Sequence, residues 1–268
     1  MYKLLALDLD GTLTNSNKEI SSHNREKLIE AQQQGIQIIL ASGRPTYGIV
    51  PLAHELCMDQ YEGYILSYNG GEIIDWTTKE MLYEKKLDSS LLPYLYAQSK
   101  EAGVAILTYD GPEILTEDPT NLYVAKEAFL NKMQIRSVPS FLEAIRHPVA
   151  KCLIVGEPEK LELLELTIKT ALGDQMGVFR SEPFFLELVP LGIDKTESLK
   201  VLLQKLNISR EELIACGDGF NDLSMIQYAG LGVAMCNAQP LVKEAADYIA
   251  PSNDDDGVAH VVERFLLS

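Results

Sequence analysis

Short apolar runs that each stop at a polar tip recur along this chain, and they limit its fold more than any other feature. Leu4-Leu5-Ala6-Leu7 meets Asp8-Leu9-Asp10-Gly11-Thr12, and Ile36 to Ala41 meets Ser42-Gly43-Arg44. Tyr64-Ile65-Leu66-Ser67 meets Asn69-Gly70-Gly71, and Leu213-Ile214-Ala215-Cys216 meets Gly217-Asp218-Gly219. A continuous apolar run of about 4–8 residues reads as a strand buried on both faces. Helix-length segments separate the first three runs. Ser21 or Ser22 can cap a helix running to Gln34, with Gly35 as its C-terminal glycine. Pro45 stands near the start of the next helix, which ends near Cys57. Such β-α-β-α-β alternation implies a parallel sheet with right-handed crossovers.

The middle of the chain has another rhythm. Strand signals at Val104–Leu107, Ala150–Val155 and Phe184–Val189 alternate with helices, and Leu161, Leu164 and Ile168 share one helical face. The βα rhythm returns with the amphipathic pattern Leu199, Leu202, Leu203, Leu206. A helix from about Asn221 to Tyr228 and short strands at Leu231–Met235 and Tyr248–Ala250 complete it. The expected fold is α/β: a Rossmann-like, three-layer core with a parallel sheet over 1–82 and 189–268, interrupted by an α+β unit over 83–188. A chain of 268 residues suits that division.

The net charge of −16 narrows the function classes. A nucleic-acid binder shows a basic face, because neutralising phosphates supplies most of its affinity. No Lys/Arg cluster of that kind is present, and the same charge disfavours an anionic membrane surface. No segment reaches the roughly 20 apolar residues of a membrane span. The four cysteines form no C-x-x-C pair and read as apolar filler in a reducing compartment. A cytoplasmic protein is expected. If its ligand is an anion, a bound divalent cation must offset the repulsion locally.

Ligands of open parallel sheets bind beyond the carboxyl ends of strands. The tips at Asp8, Ser42 and Gly217 are therefore expected to converge. Asp8, Asp10, Asp218 and Asp222 would then share a small volume. Two carboxylates about 4 Å apart repel by roughly 4 kcal/mol at an effective dielectric near 20. Such a cluster calls for a cation, and all-oxygen ligation points to Mg²⁺. Asp8 and Asp10, two apart on an extended chain, can face the same way. One could attack phosphorus while the other handles a proton. Ser42 Oγ and the Gly43 amide, near a helix N-terminus, are natural phosphate donors, and Lys195, which precedes a helix, could supply a fixed positive charge.

Taken singly, several of these signals are bland. Ser42 alone reads as a helix cap, Lys195 as a solvated lysine, and Asn69-Gly70 as a turn. Arg44 could pair with phosphate or hold the inserted unit. Asp254 to Asp256 read as a solvated loop. Order and placement change the weighing. Asp8-Leu9-Asp10-Gly11-Thr12-Leu13, Ser42-Gly43-Arg44, Lys195 and Gly217-Asp218-Gly219-Phe220-Asn221-Asp222 resemble the four ordered motifs of the haloacid dehalogenase superfamily. The insertion resembles its C2-type cap. Asn69-Gly70, the run around Lys151 and Asp256-Gly257-Val258-Ala259 resemble its Cof-type branch, although Thr196 stands where that branch usually has glycine.

The resemblance implies roles residue by residue. Asp8 is the nucleophile and a metal ligand. Asp10 is the general acid and base, and its main-chain carbonyl binds the metal. Asp218 ligates the metal, and Asp222 stands behind it, orienting metal waters or Lys195. Ser42, Gly43, Lys195, Asn221 and the Leu9 amide hold phosphate, and Asn69 faces substrate. The implied activity is Mg²⁺-dependent hydrolysis of small phosphorylated metabolites through an aspartyl-phosphate, with the cap closing over the substrate. Two other readings share the residues: a phosphomutase, and an Asp-phosphorylated signalling module resembling a receiver domain. Receivers are much shorter and lack a long insertion. The sequence names no oligomeric partner.

Overall fold

In the computed structural model, which describes residues 1–267, the chain opens with β1 (Leu4–Leu7), α1 (Ser22–Gln33), β2 (Gln37–Ala41), α2 (Thr46–Glu55) and β3 (Gly63–Ser67). Ser21 caps α1, its hydroxyl accepting from the Asn24 amide at 3.1 Å. Pro45 is the residue before α2 and needs no N–H there. Asn69 and Gly70 both take positive φ, 55° and 100°, and reverse the chain into β4 (Glu72–Asp75), antiparallel to β3. β5 (Met81–Glu84) closes that edge.

A second compact unit, Glu84–Ile193, follows. It runs through α3 (Leu92–Ala102), β6 (Ala105–Asp110), β7 (Glu113–Thr116), α4 (Leu122–Asn131), β8 (Gln134–Ser137), α5 (Phe141–Ala144), β9 (Cys152–Val155), α6 (Pro158–Leu172), β10 (Met176–Glu182) and β11 (Phe185–Pro190). Its sheet has the order β10-β11-β9-β6-β7-β8. Leu95, Ile106, Phe141, Ile154, Leu161, Leu164, Ile168 and Leu186 pack one face into a core. On β9 and β11 the alternate positions turn away from that core, and on that side Lys151, the residue before β9, pairs with Glu187 of β11 at 2.8 Å, both side chains buried. The unit extends past residue 188 to Ile193 because β11 is paired with β10 through Pro190.

The first unit, Met1–Tyr83 with Asp194 onward, resumes with α7 (Lys195–Leu206), β12 (Leu213–Gly217), α8 (Leu223–Tyr228), β13 (Leu231–Met235), α9 (Pro240–Ala245), β14 (Tyr248–Ala250) and α10 (Gly257–Phe265). Its sheet has the order β14-β13-β12-β1-β2-β3-β4-β5, parallel from β14 to β3. Leu5 and Leu7 enter one core with residues of α1, α2 and α10. Leu4 and Ala6 enter the other with residues of α7 and α8. Helices therefore cover both faces, which is why the strands read as unbroken apolar runs. No helix among the described residues is long and apolar enough to cross a membrane.

Candidate active site

Register brings the tips together. Leu7 lies opposite Leu40 of β2 and Cys216 of β12, so three chains leave the sheet at one edge. Asp8 follows Leu7, Ser42 follows β2, and Asp218 follows β12. The Asp8 amide donates to the Cys216 carbonyl at 3.0 Å, prolonging the ladder by one residue. Leu9 is fully buried and its carbonyl accepts from the Thr14 amide and hydroxyl, both at 2.9 Å. Gly11 takes φ 88°, and a Cβ there would strike the Asp218 carboxylate. Only glycine lets the loop after β1 pass so close.

Lys195 occupies the middle. It begins α7 rather than preceding it, because Asp194 caps that helix by accepting from the Thr196 and Glu197 amides at 2.7 and 3.3 Å. Its Nζ donates to Asp8 Oδ1 at 2.6 Å, Asp222 Oδ1 at 2.6 Å and the Ala41 carbonyl at 2.9 Å, which matches its three protons. Burial alone would lower its pKa, but the Asp222 and Asp8 carboxylates hold it above the ordinary range. The other oxygen of Asp222 accepts from the Asp218 and Gly219 amides at 3.0 and 2.9 Å. Asp222 ends a 3-10 turn, Phe220–Asp222, and α8 starts only at Leu223, later than the pattern predicts. That turn lets its carboxylate fold back on the two amides.

Asp8, Asp218 and Asp222 can each present a carboxylate oxygen within 4.8 Å of the others. Burial first, then the charge of Asp222, pushes Asp8 up to about 8 against the opposing pull of Lys195. Burial and Asp222 likewise push Asp218 up to about 6, although the Thr12 hydroxyl donates to it at 3.2 Å. Three carboxyl groups thus meet beside the single ammonium of Lys195, and their hard oxygen donors are of the kind that Mg²⁺ takes.

Asp10 stands apart from the cluster. Its side chain receives Arg44 Nε at 2.8 Å on Oδ2, Arg44 Nη2 at 2.7 Å on Oδ1, and Lys18 Nζ at 2.8 Å on Oδ1. Burial would raise its pKa, but these donors outweigh it and hold the carboxyl below the usual range. The sequence left Arg44 open between two partners and did not suggest Asp10. Ser42 is buried, and its Oγ accepts from the Arg44 amide at 3.2 Å, which leaves its own proton to donate. Gly43 lies against Asn69, whose Nδ2 is 2.9 Å from where a Cβ would stand. Asn221 Nδ2 in turn donates to Asn69 Oδ1 at 3.0 Å, joining two residues that the sequence treats separately.

Asp254 to Asp256 are not merely solvated. Asp254 accepts from the Ser16 amide and hydroxyl at 2.7 and 2.6 Å, and Asp256 accepts from Ser21 Oγ at 2.5 Å. Asn253 Nδ2 donates to the Thr14 carbonyl at 2.9 Å, and Asn237 Nδ2 to the Gly11 carbonyl at 2.8 Å. Asn253 to Asp256, together with Asn237, fasten the loop after β1 and the start of α1 from outside. Asparagine and aspartate in an acidic loop gave no sign of which chain they would hold.

A family model described as haloacid dehalogenase-like hydrolase matches residues 5–262, and the chain belongs to that family. It is an enzyme, and several of its relatives are named phosphatases. A crystal structure of a haloacid dehalogenase-like hydrolase from Bacteroides thetaiotaomicron is 61% identical, with a TM-score of 0.97 over 98% of this chain and 99% of that one. The Bacillus subtilis protein YcsE, a 5-amino-6-(5-phospho-D-ribitylamino)uracil phosphatase, is 31% identical over 99% of this chain and 96% of its own. The subclass IIB sugar phosphatase BT4131 is 26% identical, with a TM-score of 0.81 over 98% of each chain.

Proposed function

We propose that this chain is a Mg²⁺-dependent phosphomonoester hydrolase that acts on small phosphorylated metabolites, sugar phosphates among them, through an aspartyl-phosphate on Asp8. The observation that carries the reading is Lys195, fully buried and shared between Asp8 and Asp222 beside Asp218. A lysine so placed restrains a carboxylate nucleophile and leaves it short of full neutralisation. Asp8, Asp218 and the main-chain carbonyl of Asp10 would hold Mg²⁺, which when bound supplies the missing positive charge beside the transferred phosphoryl group. Ser42 Oγ, the amides of Gly43 and Leu9, Lys195 and Asn221 would bind the phosphate oxygens, with Asn69 holding Asn221 in place.

In the first step an Asp8 oxygen bonds to phosphorus, the ester P–O bond breaks, and Asp10, which Arg44 and Lys18 favour as the carboxylate, takes up a proton from solvent and passes it to the departing oxygen. In the second, water bonds to phosphorus, the bond to Asp8 breaks, and Asp10 takes the proton from water. We assign choice of leaving group to the second unit, Glu84–Ile193, and a cytoplasmic setting to the protein, which its four free thiols suit.

The test is phosphate release from glucose 6-phosphate, pyridoxal phosphate, flavin mononucleotide and the ribitylaminouracil phosphate, in Mg²⁺ and in EDTA, for wild type and Asp8→Asn. Release that needs both Mg²⁺ and Asp8 is expected. Hydrolysis persisting in Asp8→Asn would remove Asp8 as nucleophile, and release in excess chelator would remove the metal.

A further inference from the structure

Arg44 is anchored more firmly than a surface arginine. Its amide donates to Ser42 Oγ at 3.2 Å, its carbonyl accepts from the Tyr68 amide at 3.0 Å, and Nη1 reaches the Gly48 carbonyl in α2 at 3.4 Å. From that footing Nε and Nη2 take the two oxygens of Asp10 at 2.8 and 2.7 Å. Paired bonds of this kind fix the plane of a carboxylate as well as its position. Lys18 adds one bond at 2.8 Å, but its side chain is 53% exposed against 17% for Arg44, and a single ammonium contact fixes no plane. Asp10 itself lies in a loop with its side chain 38% exposed, so little else restrains its rotamer.

We propose that Arg44 is a positioning residue for proton transfer: its guanidinium fork sets the Asp10 carboxyl in the orientation from which it serves the ester oxygen and the attacking water. The inference rests on the reading of Asp10 as the proton-transferring group. It assigns Arg44 to neither the phosphate nor the second unit. It also gives the Ser42-Gly43-Arg44 tip a second duty, since one short segment would then place phosphate donors and hold the acid.

The experiment measures kcat/KM of Arg44→Ala, Arg44→Lys, Asp10→Asn and Arg44→Ala/Asp10→Asn on glucose 6-phosphate and on p-nitrophenyl phosphate. It also measures inhibition by inorganic phosphate. An alkyl leaving group needs the proton, whereas p-nitrophenolate leaves without it. Arg44→Ala is expected to lose about 10- to 100-fold on the sugar phosphate and several-fold less on the aryl ester, with phosphate inhibition unchanged. In the Asp10→Asn background the same change should cost less than about 2-fold, because the two residues act as one unit. Arg44→Lys, which keeps the charge and the fold but not the fork, should resemble Arg44→Ala. Equal losses in both backgrounds, or an even fall on both esters with weakened phosphate inhibition, would place Arg44 on the phosphate and overturn the inference. Wild-type turnover of glucose 6-phosphate by Asp10→Asn would instead overturn the reading of Asp10 itself.

Discussion

Lys195 Nζ stands 2.6 Å from an oxygen of Asp8 and 2.6 Å from an oxygen of Asp222, and none of its side chain is exposed. Breaking a buried ion pair by removing one partner typically costs 3–5 kcal/mol, because a charge is left uncompensated. Here two carboxylates would lose their cation together. Lys195→Met should therefore lower the unfolding midpoint in urea by an amount corresponding to about 3–5 kcal/mol and abolish phosphate release. A Lys195→Met protein as stable as wild type would show that the carboxylates find compensation elsewhere.

Gly11 should tolerate no side chain. Its φ of 88° disfavours any other residue, and a Cβ would enter the space of the Asp218 carboxylate. Gly11→Ala should destabilise the first unit by about 1–3 kcal/mol and weaken its response to Mg²⁺. Thermal scans with and without Mg²⁺ check both. Unchanged stability together with an unchanged Mg²⁺ response counts against this account of the loop.

The Mg²⁺ we propose should stabilise the fold by mass action, since its proposed ligands, Asp8, Asp218 and the Asp10 carbonyl, come together only in the folded chain. Free Mg²⁺ at about 100 times its Kd adds roughly 2.7 kcal/mol. Unfolding curves across a Mg²⁺ titration should move upward in wild type and stay flat in Asp218→Ala. An equal shift in both proteins would mean that the ion binds elsewhere.

Glu117, in the second unit, offers a test by pH. Its carboxylate accepts from Tyr96 Oη at 2.9 Å, Lys100 Nζ at 2.6 Å and the Phe141 amide at 2.7 Å. Burial would raise its pKa, but these donors hold it below the ordinary 4.5. A depressed folded value means stability that is present above 4.5 and is lost as pH falls through that lower value. Glu117→Gln should thus melt lower than wild type at neutral pH, and the gap should narrow in acid. A gap that stayed constant down to the acid transition would assign the effect to packing alone.

Much of the fold was legible because it rests on local pattern. β1, β2, β3 and β12 are buried on both faces, and their runs of Leu, Ile and Ala admit little else. Strands β5 and β8 were not, since they are largely solvent-facing and only four residues long. Nothing apolar repeats in them with a period of two. The start of α7 was misplaced for a similar reason. The Asp194 cap is a contact between a side chain and two amides, and no hydropathy pattern records it.

By itself the sequence determined the strands of the core, the edge at which they end, and the residue types gathered there: four aspartates, a Ser-Gly-Arg tip and a lysine before or within a helix. Those follow from burial and from the rule that parallel strands end on the same side. Only the tertiary structure decided which charges meet. Lys195 and Asp8 are 187 residues apart, Asn221 and Asn69 152, and Arg44 and Asp10 34. A pairing at such separations is chosen by sheet register, by the turn at Phe220–Asp222 and by the space that Gly11 leaves open. Each is set by packing across the whole first unit, so no window of sequence contains it.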